Sequence, residues 1–127
     1  MSDTAAVEGS NYAKVHITLE EDEGVVEFCV SPWNVMIGRD QDGIEWSCDE
    51  ADFEIEFRHE SGTHFEIREE SQLRGGPGRT LTLDMVSDLR DPDLVDRMVS
   101  GSYDVKVTLA NGTMLVVDPD YTRPPRG

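Results

Sequence analysis

The stretch Tyr103-Asp104-Val105-Lys106-Val107-Thr108-Leu109-Ala110-Asn111-Gly112-Thr113-Met114-Leu115-Val116-Val117 decides the fold of this chain. Apolar residues occupy every second position from Tyr103 to Leu109, which is typical of a strand with one buried face. Asn111-Gly112 is the dipeptide most typical of a two-residue hairpin turn. The segment Met114–Val117 is therefore predicted to return antiparallel to the first strand.

The same period of two recurs towards the amino terminus. The further strands that it predicts are Tyr12–Leu19, Val25–Val30, Trp33–Ile37, Ile44–Trp46 and Thr80–Met85. The spacing of apolar residues makes Ser87–Ser100 the only helical candidate. Seven or eight short strands, one short helix and no alternation of helices with strands predict an all-β, Greek-key β-sandwich.

A second hairpin is predicted over Phe53–Glu69, closed by the loop Glu60-Ser61-Gly62 with glycine in the left-handed position. Its register places apolar side chains opposite each other on the buried face: Phe57 with Phe65, and Ile55 with Ile67. The same register puts Glu56 directly opposite Glu66 on the outer face. Like charges in that arrangement destabilise a sheet.

The chain has 127 residues, enough for one domain with an ordinary core. We expect a flexible tail over residues 1–11, the sandwich over residues 12–118 and a proline-rich tail over residues 119–127. Eleven Lys and Arg residues against 27 Asp and Glu residues give a formal charge of −16. This charge disfavours direct binding to nucleic-acid backbones and to anionic membranes.

The compartment is inferred from two absences in the sequence and from its cysteines. No apolar run approaches the about 20 residues needed to span a bilayer, and the first residues lack the pattern of a secretion signal. The two cysteines, Cys29 and Cys48, are expected to be free thiols in a reducing cytosol, with a disulfide between them as the alternative. The sequence therefore predicts a soluble, cytoplasmic protein.

Several segments together resemble the cupredoxin family. They are Phe28-Cys29-Val30-Ser31-Pro32-Trp33-Asn34-Val35, Gly38, Ile44-Glu45-Trp46, Phe53-Glu54-Ile55-Glu56-Phe57 and Gly101-Ser102-Tyr103-Asp104-Val105-Lys106-Val107. The resemblance covers roughly residues 12–118 and implies a cupredoxin-like sandwich. An immunoglobulin-like sandwich would share many of these features, although the Cys, Trp, Cys pattern of antibody domains is missing.

The resemblance also implies where copper ligands would stand. A blue-copper site needs two imidazoles, a thiolate and usually a weak thioether. Phe53 and Ala110 occupy the positions of the two histidines, and Val107 occupies that of the cysteine. Only Met114 lies near the axial position. The resemblance therefore implies a scaffold without copper, and no cofactor is expected.

Other candidate sites in the sequence are weak. His59 and His64 are predicted to point to opposite sides of the sheet, which disfavours a two-histidine metal site. The Asp40-Gln41-Asp42-Gly43 turn has only part of a calcium loop. The Gly75-Gly76-Pro77-Gly78-Arg79-Thr80 run lacks the lysine, the preceding strand and the following helix of a phosphate-binding loop. No catalytic motif is found.

The remaining signal is the charge, which favours a non-catalytic, acidic protein–protein interaction module. Its candidate partner-binding residues are Glu54, Glu56, Glu66 and Arg68 on the hairpin and Arg74, Gly75, Gly76 and Arg79 in the glycine-rich loop. Complementary charge would speed the encounter with a basic partner. One alternative is a metal or redox protein with atypical ligands such as His59, His64, Cys48 and Met114. Another is an acidic mimic that occupies a nucleic-acid-binding protein.

Overall fold

The structure is a computed structural model that describes residues 11–38, 40–58, 64–86, 89 and 98–125. These residues form ten strands: β1 (Tyr12–Asp22), β2 (Val25–Ser31), β3 (Asn34–Met36), β4 (Gly43–Cys48), β5 (Phe53–Phe57), β6 (Arg74–Gly75), β7 (Leu81–Asp84), β8 (Val99–Thr108), β9 (Met114–Val117) and β10 (Asp120–Arg123). A single-turn 3-10 helix, Glu70–Leu73, precedes β6. The strands form two sheets, which confirms the predicted all-β sandwich.

The first sheet has four strands in the order β2-β1-β4-β7. The long strand β1 pairs antiparallel with β2 on one side and parallel with β4 on the other. Its alternation predicts the faces correctly, because Val15 and Ile17 are buried whereas Lys14 and His16 are exposed. Cys29 is exposed on β2 and Cys48 is buried on β4, and both are free thiols.

The second sheet has the order β3-β10-β8-β5-β6, and β9 also pairs with β8. The predicted hairpin of β8 and β9 is confirmed, with Val107 opposite Leu115. Its turn differs from the predicted two-residue turn, because the Leu109 N–H donates a hydrogen bond to Thr113 O at 2.8 Å. The loop between them therefore has three residues, and Gly112 adopts a φ of 91°.

The predicted carboxy-terminal tail is wrong, because residues 120–123 form β10. This strand pairs antiparallel with β8 and parallel with β3. Tyr121 and Arg123 are fully buried on its inner side. The prediction ended the fold at Pro119 because proline lacks a donor for strand pairing, but the strand resumes one residue later.

The predicted Phe53–Glu69 hairpin is also wrong. β5 pairs with β8, where Phe57 lies opposite Tyr103, and with β6, where Phe53 lies opposite Gly75. Phe65 instead forms an isolated bridge with Met85. The ring of Phe65 still stacks on that of Phe57, with 4.8 Å between centroids, so the two side chains meet across the core. The proposed loop Glu60-Ser61-Gly62 lies outside the described residues.

The space between the sheets is filled by aromatic and branched side chains. Trp46 of the first sheet packs edge-on against Tyr103 of the second, with 5.4 Å between ring centroids. Both residues are fully buried, as are Ile17, Ile55 and Val105. Most of the predicted helix Ser87–Ser100 lies outside the described residues, and its last two residues begin β8. Within the described part of the chain, no helix is long and apolar enough to cross a membrane.

Candidate functional site

The side of the second sheet that faces solvent is strongly charged, and we call it the outer face. Because Phe53, Ile55, Tyr103, Val105 and Val107 point into the core, the residues between them point out. The outer face is formed by Glu54, Glu56, Arg58, Ser102, Asp104, Lys106, Val116, Asp118 and Asp120.

Three carboxylates lie abreast across this face. Glu56 of β5 lies directly opposite Asp104 of β8. Asp118 follows Val117, which pairs with Val105, so the register places it on the other side of Asp104. We call Glu56, Asp104 and Asp118 the carboxylate row. Like charges on adjacent strands repel, and the row therefore requires cations beside it.

Arg58 supplies one of these cations and bridges two members of the row. Its Nη2 lies 2.8 Å from Asp104 Oδ1 and 3.5 Å from Asp118 Oδ2. Its Nε also donates to Asp104 Oδ1 at 2.9 Å. The hydrogen bond to Asp104 raises the pKa of the guanidinium above its ordinary value. The Arg58 N–H donates to Ser102 O at 3.3 Å, which fixes the backbone of the arginine against β8.

Lys106 supplies the second cation through an ion pair with Glu56. This hydrogen bond lowers the pKa of the Glu56 carboxyl and raises that of the Lys106 ammonium. The side chains remain in contact with solvent, so the pair stabilises the fold only modestly. Its main effect is to hold the Glu56 carboxylate in place on the outer face.

The glycine-rich loop lies at the β6 end of this face and has a structural explanation. Gly76 and Arg79 exchange backbone hydrogen bonds of 2.9 Å in both directions, which closes a tight turn over Pro77-Gly78. Gly78 has a φ of 74°, as the third residue of a type II turn requires. A β-carbon at Gly75 would lie 2.6 Å from Phe53 Cζ, so the loop can pack on β5 only with glycine there.

Between this loop and the outer face is an open cleft of about 270 Å³. Its lining includes four predicted site residues, Glu54, Arg74, Gly75 and Arg79, together with Asp52, Lys106 and Thr108. Arg74 Nε lies 3.9 Å from Glu54 Oε2, a weak ion pair. A β-carbon on Gly76 would collide with the Asp52 carboxylate, so the loop backbone lies against that side chain. The cleft therefore carries both signs of charge.

The structure separates Glu66 and Arg68 from the other predicted site residues. Both line a cavity of about 260 Å³ beside β7, together with Tyr12, Gln72 and Asp84. The Glu66 N–H donates to Asp84 O at 2.8 Å, which ties this segment to the first sheet. Glu66 is therefore not opposite Glu56, and the predicted pairing of the two is wrong because Asp104 occupies that position.

The sequence pattern did not identify Asp104, Lys106 and Asp118 as site residues. The alternation of Tyr103, Val105 and Val107 already turned Asp104 and Lys106 outward. What was missing was the pairing of β8 with β5, which brings both residues next to Glu54 and Glu56. Alternation within one strand contains no information about its neighbour.

The residues of the metal hypothesis do not converge. His64 Nδ1 lies 2.6 Å from the Tyr121 hydroxyl, Cys48 is buried on β4 with its thiol 4.0 Å from Glu50 Oε1, and Met114 is exposed on β9. His59 lies outside the described residues. Among those that are described, no three His, Cys, Asp or Glu side chains form a group able to hold a metal ion.

The positions assigned to copper ligands by the resemblance also diverge. Phe53 and Val107 are buried in the core, whereas Met114 points to solvent and Ala110 lies in the β8–β9 turn. No protein-family model matches this chain, and no curated protein matches it. The fold is therefore established as a β-sandwich, without assignment to a family.

Proposed function

We propose that this protein is a non-catalytic interaction module that binds a basic partner protein through its outer face, on a cupredoxin-like sandwich without copper ligands. The observation that carries the proposal is the carboxylate row held by Arg58 and Lys106. Two cations neutralise only part of three carboxylates, and Asp120 and Glu54 add further negative charge nearby. The face therefore keeps an excess of acid.

The geometry of the row suits recognition of guanidinium and ammonium groups. Asp118 is 62% exposed and Glu56 59%, so both carboxylates keep oxygens available to a second cation. Arg58 and Lys106 orient these side chains before a partner arrives, which lowers the entropy lost on binding. Charge of this kind mainly increases association rate and specificity, and its effect weakens as salt increases.

Apolar side chains border the row and give a partner area to bury. Val116 lies directly opposite Lys106, and Met114 lies opposite Thr108. Both are about half exposed on the short strand β9. Methionine is enriched at protein interfaces, where apolar contacts are surrounded by a polar rim. The combination supports a docking face for protein more than a surface that is charged only for solubility.

The proposal assigns no catalysis to these groups. Glu56, Arg58 and Lys106 lie on an open sheet surface, where water has access to them. The cupredoxin-like part of the proposal is supported by the quoted segments and by the two-sheet sandwich. The absence of copper ligands is supported by buried, apolar Phe53 and Val107 at two of the assigned ligand positions.

The test is affinity capture from native lysate at low salt with three forms of the full chain. The first is wild type, and the second carries Glu56→Gln with Asp118→Asn. The third is a control of equal charge, Asp49→Asn with Glu70→Gln, at exposed positions away from the face. We expect a protein that binds wild type and control but is lost from the second form and at high salt. Equal capture by all three forms, or no partner at all, would contradict the proposal.

A further inference from the structure

We propose that the outer edge of β2 accepts an extended segment of a partner protein as an additional strand, and that this segment alternates apolar with basic residues. The surface is distinct from the outer face and uses a different kind of recognition, so this inference goes beyond the proposed function. Strand addition obtains affinity from backbone hydrogen bonds and specificity from alternate side chains.

β2 is the terminal strand of the first sheet and pairs only with β1 among the residues that the structure describes. It is seven residues long, Val25–Ser31, which is long for an edge strand. An edge of that length presents a row of backbone donors and acceptors to a second chain.

The turn between β1 and β2 shows which peptide groups point outward. Glu23 and Gly24 have φ values of 53° and 83°, which define a type I′ turn, so the flanking residues Asp22 and Val25 bond to each other. Because bonded and non-bonded pairs alternate along an antiparallel ladder, the peptide groups of Val26, Phe28 and Val30 face away from β1.

An independent contact supports this assignment of the outward-facing peptide groups. Leu19 lies opposite Phe28 in the ladder, so its own N–H must also point away from the pair. It donates to Glu50 Oε1 at 3.2 Å, on the side of β1 where β4 has already ended. The Glu50 carboxylate therefore accepts the hydrogen bond of the Leu19 N–H, which β4 does not reach. The outer edge of β2 has no corresponding partner among the described residues.

Apolar side chains lie along the same edge. Val26 and Phe28 point towards the core side but are only partly buried, and Phe28 packs against the core with Leu19. Val25 is 63% exposed, and Trp33, which follows β2, is 47% exposed. A strand added beside Val26 and Phe28 would continue the apolar inner side of the sheet. Every second residue of the segment should therefore be apolar.

The opposite side of the edge is acidic. Glu20 lies directly opposite Glu27, and these residues line an open cavity of about 380 Å³ with Asp22, Glu23 and Val25. Residues 15–38 contain no lysine or arginine. A second copy of this chain would place Glu27 against a like-charged edge, which disfavours self-pairing. A segment with lysine or arginine between its apolar residues complements the edge.

The test uses a short synthetic peptide of alternating valine and lysine, added to the full chain. Hydrogen exchange followed by NMR should show slower exchange of the Val26, Phe28 and Val30 amides when the peptide is bound. Glu27→Lys should weaken binding about tenfold, since it replaces an attraction by a repulsion at the edge. Glu70→Lys, with the same change in net charge on the 3-10 helix, should leave binding nearly unchanged. Protection of the Val26, Phe28 and Val30 amides is the readout in every variant, because a peptide bound at the outer face would not slow their exchange.

A second peptide distinguishes strand addition from simple charge attraction. It has the same sequence, with alternate backbone nitrogens methylated on the edge that would pair with β2. We expect it to lose binding, because it can no longer donate to the β2 carbonyls. Equal binding of the methylated peptide, or binding without protection of these three amides, would overturn the proposal. Protection without peptide that increases with protein concentration would also overturn it, in favour of a second copy as the occupant.

Discussion

Pro119 lies opposite Tyr103 in the long hairpin, and its carbonyl oxygen accepts the Tyr103 N–H at 3.1 Å. The register is the same on both sides of this pair, since Val117 faces Val105 and Asp120 faces Ser102. β9 and β10 are therefore one continuous strand, in which Pro119 lacks a backbone N–H and so one hydrogen-bond donor is missing. The proline interrupts the ladder without ending it, and the chain beyond it completes the core.

Tyr121 provides a test of that conclusion. Its ring is fully buried and packs edge-on against Phe65, with 5.1 Å between centroids. We expect Tyr121→Ala to lower the free energy of unfolding by about 3–5 kcal/mol, the range for truncating a buried aromatic side chain. The neighbouring Thr122→Ala, which removes a partly exposed hydroxyl bonded to Asn34, should cost less than about 1 kcal/mol. Urea denaturation of both variants measures the difference, and similar small losses would show that residues 120–123 are a tail.

Gly43 tests the close contact between β4 and β7. A β-carbon there would collide with the backbone carbonyl of Leu83, which cannot move without disturbing the strand pair. Gly43→Ala should destabilise the protein by about 1–3 kcal/mol or more. Gly38→Ala is the matched control, because its nearest neighbour, Gln41 Oε1, belongs to a side chain that can move. Thermal unfolding of the two variants should separate them, and equal melting temperatures would disprove the contact.

The ion pair of Glu56 and Lys106 predicts that the stability of the fold decreases at acidic pH. The pKa of Glu56 is lower in the folded protein than its ordinary value of 4.5, so the pair stabilises the fold above that pH. This stabilisation should disappear as the pH falls through the folded pKa. Denaturation at several pH values should show Glu56→Gln less stable than wild type at neutral pH and equal to it in acid. In a Lys106→Gln background most of the difference should be absent, since only Arg58 remains to lower the pKa of Glu56. Persistence of the full difference there would contradict the pairing.

The buried hydroxyl of Tyr103 predicts that the stability of the fold decreases at alkaline pH. Burial raises its pKa from 10.0 to about 12. The phenol is therefore neutral in the fold. Its contribution to the free energy of unfolding is complete below pH 10 and is lost as the pH rises towards 12. Tyr103→Phe should remove this alkaline loss. It should change stability little at neutral pH, since no hydrogen bond to the buried hydroxyl is found among the described residues. An unchanged alkaline profile in the variant would contradict this assignment.

The parts of the fold that sequence predicted correctly depend on local pattern. Alternation assigned the buried faces of β1 and β8, and Asn111-Gly112 identified the turn after β8. The Phe53–Glu69 hairpin failed because alternation determines which side of a strand is buried and not which strand lies beside it. β5 pairs instead with β6 and with β8, which lies far along the chain, and only the three-dimensional structure reveals these pairings.

The same reason explains why only part of the candidate site could be predicted from the sequence. The sequence identified Glu54 and Glu56 as outward-facing but assigned them Glu66 as a neighbour. Their actual neighbours, Asp104 and Lys106, come from β8 and turn a predicted acidic patch into an ordered row with its own cations. The glycine-rich loop was predicted only as a candidate partner-binding segment. Gly75 and Gly76 are required by packing against Phe53 and Asp52, and Gly78 is required by its positive φ. Composition alone does not show these constraints.

The most direct measurement of the central claim is carbodiimide cross-linking of the full chain to the captured partner, followed by peptide mass spectrometry. This reagent joins carboxylates to lysine amines that are in contact, so it reports which acidic residues touch the partner. The account predicts cross-links from Glu56 and Asp118, and their loss in the Glu56→Gln, Asp118→Asn form without loss in the Asp49→Asn, Glu70→Gln control. Cross-links confined to carboxylates of the first sheet would contradict it.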